Sequence, residues 1–264
     1  MTTIFFKNKS IMTLPEYAHE LTTTQFIGLA PILYSDGDEV TFKVQALWVL
    51  SGLGVYRWKL LPAEVINRCL PFVDWVFDKQ APLKITKQLI TQYKKYHGPD
   101  SDFDNLKMAE FHFSELHYKA ILNGNNEALN DLAAVLYRKG KKKYNKKLNP
   151  DGDLRIAFNA NEMAYYVKKM QQWPVKVKQA IFLWYDACRE ELIKNNPLVF
   201  KNEDKDFISQ FETGLYGMMR SLAGDKLGDV NHIENMYVHT AMLEIGLMRE
   251  EERYIESKLP KKPS

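Results

Sequence analysis

The chain has 264 residues, of which 45% are hydrophobic and 12% aromatic, enough apolar volume for one large domain or two smaller ones. Its 36 basic and 33 acidic residues leave a formal charge of +3, so overall charge does not point to nucleic acid or to a membrane surface. The longest apolar run, around 46–56, is broken by Ser51, Gly52 and Gly54 and falls short of the ~20 residues that span a bilayer. The first residues lack the basic, apolar and small-residue succession of a secretion signal, which predicts a cytoplasmic protein.

In chain order, two short apolar runs flank a polar break at Asn8 and predict a β-hairpin over residues 2–14. Thr22 or Thr23 is placed to cap a helix carrying Phe26, Ile27, Leu29 and Leu33, which Pro31 is expected to shorten or kink. The turn 35–38 precedes a helix to about 51, and Pro62 opens another to about 78, interrupted by Pro71. Residues 81–89 read equally as strand or helix. His97-Gly98-Pro99-Asp100-Ser101-Asp102 gathers turn residues and acids between apolar segments and marks a boundary.

Beyond it the pattern is more continuously helical. Helices are predicted over about 103–122, ended by Gly124, then 127–138, then from a cap at Asn159 or Asn161 to Trp173, then from Pro174 to about Asn195. A final pair is expected over about 207–224 and 229–258. The predicted fold is therefore mainly α, a multi-helix, bundle-like body with a small N-terminal β-hairpin. It divides into a β element plus helical lobe (residues 1–98) and a larger all-helical body with an extended C-terminal helix (99–264).

No catalytic or metal motif is present. His112 and His117 are five apart, about 140° around a helix, and His232 and His239 are separated by about 10.5 Å of rise. There is no HExxH, CxxC or GxSxG, and the glycines at 52, 54, 224 and 228 match no phosphate-binding loop. No catalytic residue, metal ligand or cofactor is expected, and Cys69 and Cys188, each in an apolar helical pattern, read as buried free thiols, with a disulfide left open.

Two stretches suggest contact with other macromolecules. Arg138, Lys139, Lys141, Lys142, Lys143, Lys146 and Lys147 cluster around Tyr144, where cations would neutralise phosphates and the ring would stack on a base. The same run reads as a solvated loop, or as a docking surface for an acidic protein. The last helix carries a stripe of Met236, Leu243, Leu247 and Tyr254, followed by a highly charged tail. Met218, Met219, Met236, Met242 and Met248 suit an adaptable binding surface and equally suit a core between paired helices.

Three segments carry a family resemblance: LPEYAHELTTTQFIGLAPIL (14–33), EALNDLAAVLYR (127–138) followed by a loop and RIAFN (155–159), and AIFLWYDACREELIKNNPLVF (180–200) ahead of LYGMMRSLAGD (215–225). In this order they resemble phage and prophage tail assembly chaperones and tail-associated proteins. The chain departs from the pattern after Arg138, where glycine and lysines stand in place of proline. The resemblance implies a helical, non-enzymatic protein of the bacterial host cytoplasm or the phage particle. It would bind another phage structural protein, such as a tape measure, or itself. The expected mechanism is shielding of an apolar coiled-coil client by the last helix, lost on truncation after Asp229. The alternative is a nucleic-acid-binding accessory protein that uses the basic loop 138–147.

Overall fold

The computed structural model describes residues 1–6, 9–35, 37–78, 84–142, 152–200, 219, 223–224 and 228–258. The fold is mainly α, with a two-stranded antiparallel sheet at the N-terminus. Chain contacts define two compact units, one of Met1–Ile90 with Gln172–Ala187 and the other of Thr91–Gln171 with Cys188–Ser264.

In the first unit, β1 (Thr2–Phe6) and β2 (Lys9–Leu14) form the expected hairpin, with a register shift between Ile4 and Phe5. Met12 and Leu14 of β2 are buried. Helix α1 (Thr23–Leu33) starts in a capping box: the Thr22 hydroxyl accepts from the Gln25 N–H while the Gln25 side chain accepts from the Thr22 N–H. The same Gln25 amide donates to the Leu50 carbonyl at 2.7 Å, joining the start of α1 to the end of α2 (Glu39–Ser51). Pro31 removes one helical donor, yet α1 continues to Leu33, and the Ser35 hydroxyl donates to the Pro31 carbonyl at 2.6 Å.

Asp38 caps α2 by accepting from the Thr41 N–H at 2.8 Å. Two short helices follow, α3 (Val55–Lys59) and α4 (Ala63–Cys69). The helix expected to run on to 78 tightens instead into a 3-10 turn at Leu70–Val76, because Pro71 has no N–H to continue the α pattern. Lys43 bridges Glu39 and Asp74, each at 2.8 Å, linking α2 to this turn. Residues 84–89 are neither strand nor helix, and 79–83 lie outside the described residues. The unit is completed from far along the chain. Trp184 is fully buried and donates from its indole N–H to the Thr86 carbonyl at 2.9 Å, and Phe182 meets Tyr34 edge-on.

The second unit is not wholly helical. β3 (Gln92–Tyr93), β4 (Tyr96–His97) and β5 (Arg138–Lys139) make a three-stranded antiparallel sheet in the order β3-β4-β5. Strands of two residues leave no alternating pattern to read. Helix α6 (Ala128–Leu136) packs against both α5 (Met108–Leu122) and α7 (Met163–Met170). Gly124, in the left-handed region with φ +88°, follows the end of α5 as the sequence predicts. Eight of the nine residues of α6 are buried, all but Asp131, so this short helix is the centre of the unit. Helix α8 (Val175–Asn195) contributes its residues up to Ala187 to the first unit and the remainder to the second.

The helix expected over 229–258 is two, α9 (Val230–Asn235) and α10 (Val238–Lys258). At the break the chain pairs with the segment before α5. The Met108 N–H donates to the Met236 carbonyl and the Val238 N–H to the Leu106 carbonyl, both at 2.9 Å, across an antiparallel bridge of Lys107 with Tyr237. Of the helix expected over 207–224, only Met219, Ala223 and Gly224 are described. No described helix is long and apolar enough to cross a membrane.

The α1–α2 contact provides a test of close packing. A Cβ built on Gly28 would lie 2.6 Å from a Val49 methyl carbon. Overpacking of this kind costs roughly 1–3 kcal/mol. Gly28→Ala should therefore lower the urea midpoint, and adding Val49→Ala should recover part of the loss. If the two losses are simply additive, the helices do not meet at this point.

Candidate functional site

Arg138 directly follows the last turn of α6, where buried carbonyls need donors. It supplies them. Its Nη1 donates to the Val135 carbonyl at 2.5 Å and its Nε to the Ile156 carbonyl at 2.8 Å. Arg155 completes the cap, donating from Nη1 to the Leu136 carbonyl at 3.2 Å. Both guanidinium groups are paired in the interior. Arg138 Nη2 lies 2.6 Å from Glu110 Oε1, and Arg155 lies 3.0 Å from both Glu110 Oε2 and Asp153 Oδ2. The contact to Glu110 Oε2 is an ion pair without hydrogen-bond alignment.

The side chains of Arg138, Arg155 and Glu110 are at most 2% exposed and that of Asp153 is 9% exposed, so the cluster is a buried, charge-balanced set of two cations and two anions. Burial works against each charge. It pulls the Arg138 pKa down despite Glu110, whereas Glu110 and Asp153 overcome it to hold Arg155 above its ordinary value. For Asp153, burial is overcome by Arg155, which keeps the carboxyl below the usual range.

These contacts correct the reading of the basic run. Arg138 is not on a surface loop and is closed to nucleic acid or an acidic partner. Lys139 Nζ sits 5.0 Å from the centroid of the Tyr165 ring, and Lys141 Nζ donates to the Asp153 carbonyl at 2.7 Å. The stretch 139–141 is fixed in β pairing, with the Ile156 N–H donating to Lys139 and the Lys141 N–H to Leu154. Lys142 is exposed. Lys143, Tyr144, Lys146 and Lys147 lie outside the described residues. Sequence reasoning passed over Glu110, Asp153 and Arg155. The available signal was charge beside apolar segments: Arg138 after the run from Leu132 to Tyr137, and Arg155 before Ile156, Ala157 and Phe158.

A cavity of about 400 Å³ opens beside the cluster, with Phe113, Phe158 and Ala157 among its apolar lining. The buried arginines and carboxylates on its wall are paired with one another. Among the described residues no group of acids, histidines and cysteines has metal-binding geometry. Cys69 and Cys188 are buried free thiols, and burial pushes the pKa of both upward, which removes the thiolate that nucleophilic chemistry needs.

The other candidate is α10. Its inner face buries Val238, Ala241, Met242 and Ile245, and α10 packs on α5. Arg249 anchors it by donating to the Leu198 and Val199 carbonyls at 2.9 Å. Three apolar side chains of one stripe face away: Leu243 is 60% exposed, Leu247 50% and Tyr254 64%. Positions 243, 247 and 254 fall within about 40° of one another on a helix. Met236 does not join them. It lies at the break before α10, half-buried, with its carbonyl bound to Met108. Truncation after Asp229 would accordingly uncover the core of the second unit as well as remove the stripe.

Comparison with protein-family models, with characterised proteins and with solved structures returns no match.

Two outcomes follow from the buried charges. Arg155→Met leaves Asp153 and Glu110 Oε2 without their cation and should destabilise the protein by about 3–5 kcal/mol in urea unfolding, against less than about 1 kcal/mol for Lys142→Met at the surface. Equal effects would show that the cluster is solvated. Burial also lowers the pKa of His112 and of His117, the latter against an opposing pull from Asp131. A depressed folded value leaves stability complete above the ordinary histidine pKa of ~6.5 and removes it as pH falls from there toward the folded value. Unfolding midpoints should therefore drop between pH 7.5 and 5, and the drop should shrink in His112→Asn/His117→Asn. An unchanged pH profile in that variant would assign the dependence to other groups.

Proposed function

We propose that this chain is a non-enzymatic assembly protein that holds a helical segment of another structural protein against the outer face of α10. The observation that carries the reading is the arrangement of Leu243, Leu247 and Tyr254 on one face of a helix whose opposite face is already buried. Packing within the second unit accounts for Val238, Ala241, Met242 and Ile245 but not for the outer stripe. Apolar side chains at spacings of four and seven suit contact with a second amphipathic helix. Charged residues Glu244, Glu250, Glu251 and Arg253 accompany the stripe and would set partner choice and orientation.

The resemblance to phage tail assembly chaperones sharpens this proposal. It makes the client a long helical phage structural protein of the tape-measure kind, whose apolar surface the chain would cover until assembly. Burial of two leucines supplies about 3–6 kcal/mol, enough to dominate a transient complex. The basic loop adds little support for a nucleic-acid role, because its described arginine is buried and two of its lysines are engaged within the chain.

The test is capture of partners from the native host lysate at moderate salt by the full chain and by Leu243→Lys/Leu247→Lys. The parent should retain a long helical protein, and the variant, with an unchanged circular dichroism spectrum, should lose it by about a hundredfold in affinity. Equal retention by both would reject the stripe as the docking face. Salt-labile nucleic acid in place of a protein would reject the assembly role.

A further inference from the structure

The first unit carries a second docking feature that the proposed function does not use. The N-terminal sheet has only two strands, and its order ends at β1. In an antiparallel pair, alternate residues turn both N–H and C=O away from the partner strand. Among the described residues no backbone group outside the hairpin pairs with residues 2–5, so β1 presents an open edge.

A cavity of about 250 Å³ lies along this strand, lined by Thr2, Thr3, Ile4 and Phe5 and, across from them, by Val65, Arg68, Cys69 and Phe72. Side chains of a strand alternate between its faces. A space that touches four consecutive residues therefore follows the edge of the strand rather than one face. Its other wall is α4 and the first residues of the 3-10 turn. A groove between a strand edge and a helix is the geometry in which an extended peptide adds to a sheet, with backbone hydrogen bonds for affinity and side-chain pockets for selectivity.

The lining indicates what would fit. Val65 is buried at the floor, while Phe5 is 65% and Phe72 40% exposed, leaving two aromatic rings uncovered. Arg68 is exposed and has no ion-pair partner among the described residues, unlike Lys43 in the same unit, which holds two acids. The groove is thus apolar with one unmatched cation. A second copy of the chain added through its own β1 would bring another Arg68 to the groove.

We propose that the groove between β1 and α4 takes an extended peptide segment of alternating apolar residues with one acidic side chain, added to β1 as a third strand. The acid meets Arg68, and the apolar side chains cover Phe5 and Phe72.

The experiment titrates the full chain with short synthetic peptides alternating valine and threonine, each bearing one aspartate or one lysine at a varied position. Aspartate peptides should bind and lysine peptides should not. Arg68→Glu should weaken the aspartate peptide by about tenfold or more, while Arg57→Glu, at an exposed position outside the groove, should leave it unchanged. Methylating alternate backbone nitrogens of the peptide should abolish binding, because strand addition needs those donors. Absence of binding by every aspartate peptide would overturn the proposal. So would binding that survives both Arg68→Glu and backbone methylation. A concentration-dependent dimer in sedimentation, lost in Arg68→Glu, would place a second copy on the edge and would also overturn it.

Discussion

The architecture of the second unit depends on four buried charges that close one end of its central helix. Because α6 is buried at every position from Leu132 to Leu136, water cannot satisfy its last carbonyls, and the chain must bring donors to them. A neutral donor would serve one carbonyl. Arg138 and Arg155 serve Val135, Leu136 and Ile156 and also reach Asn105. Their charges cost several kcal/mol each to bury, a cost offset only because Glu110 on α5 and Asp153 complete the set. The cluster thereby joins α5, the end of α6 and the segment 153–156 in one register. A hydrophobic replacement could match its stability but would not fix which carbonyl meets which donor.

The cluster also decides what the basic run can do. The cations nearest α6 are consumed by the fold, through ion pairs, a ring contact and a backbone carbonyl. A count of lysines and arginines along a sequence measures charge and does not measure its availability. The pairing of 139–141 with 154–156 further makes this stretch part of a small sheet, so its geometry is set before any partner arrives.

What the sequence made legible was local. Thr22 with Gln25, Asp38 and Gly124 each act within a few residues, and the helix ends they mark lie where the pattern places them. The aromatic and aliphatic spacing that predicts a mainly α chain is similarly short in range. What stayed hidden depends on residues distant in the chain. The segment 172–187 completes a unit begun at the N-terminus, and no turn signal between neighbours can report that. The break at Met236 exists because residues 106–108 pair there, whereas the local sequence is compatible with one continuous helix. Arg138 looks exposed until Glu110, 28 positions upstream, is seen to meet it. Of the candidate stripe, Leu243, Leu247 and Tyr254 were legible from helical spacing alone. Met236 was misplaced with them because it falls before the start of α10.

The far end of α10 bears on the docking reading. Its buried face ends near Ile245, and Arg249 makes the last described anchor to the unit. Past that point the described side chains, from Glu250 to Lys258, are exposed. A helical stretch of this length has little intrinsic stability in water, because nucleation is costly and propensity gains are small. Local contacts such as Lys258 over the Tyr254 ring at 5.5 Å add only modestly, and Arg249 and Arg253 repel at a spacing of four. The segment is thus held in helical form chiefly by continuation from its packed first half. An amphipathic partner laid along Leu247 and Tyr254 would bury the apolar side of this extension and stabilise the helix it binds. Ordering and binding would then be one event on this face of the molecule.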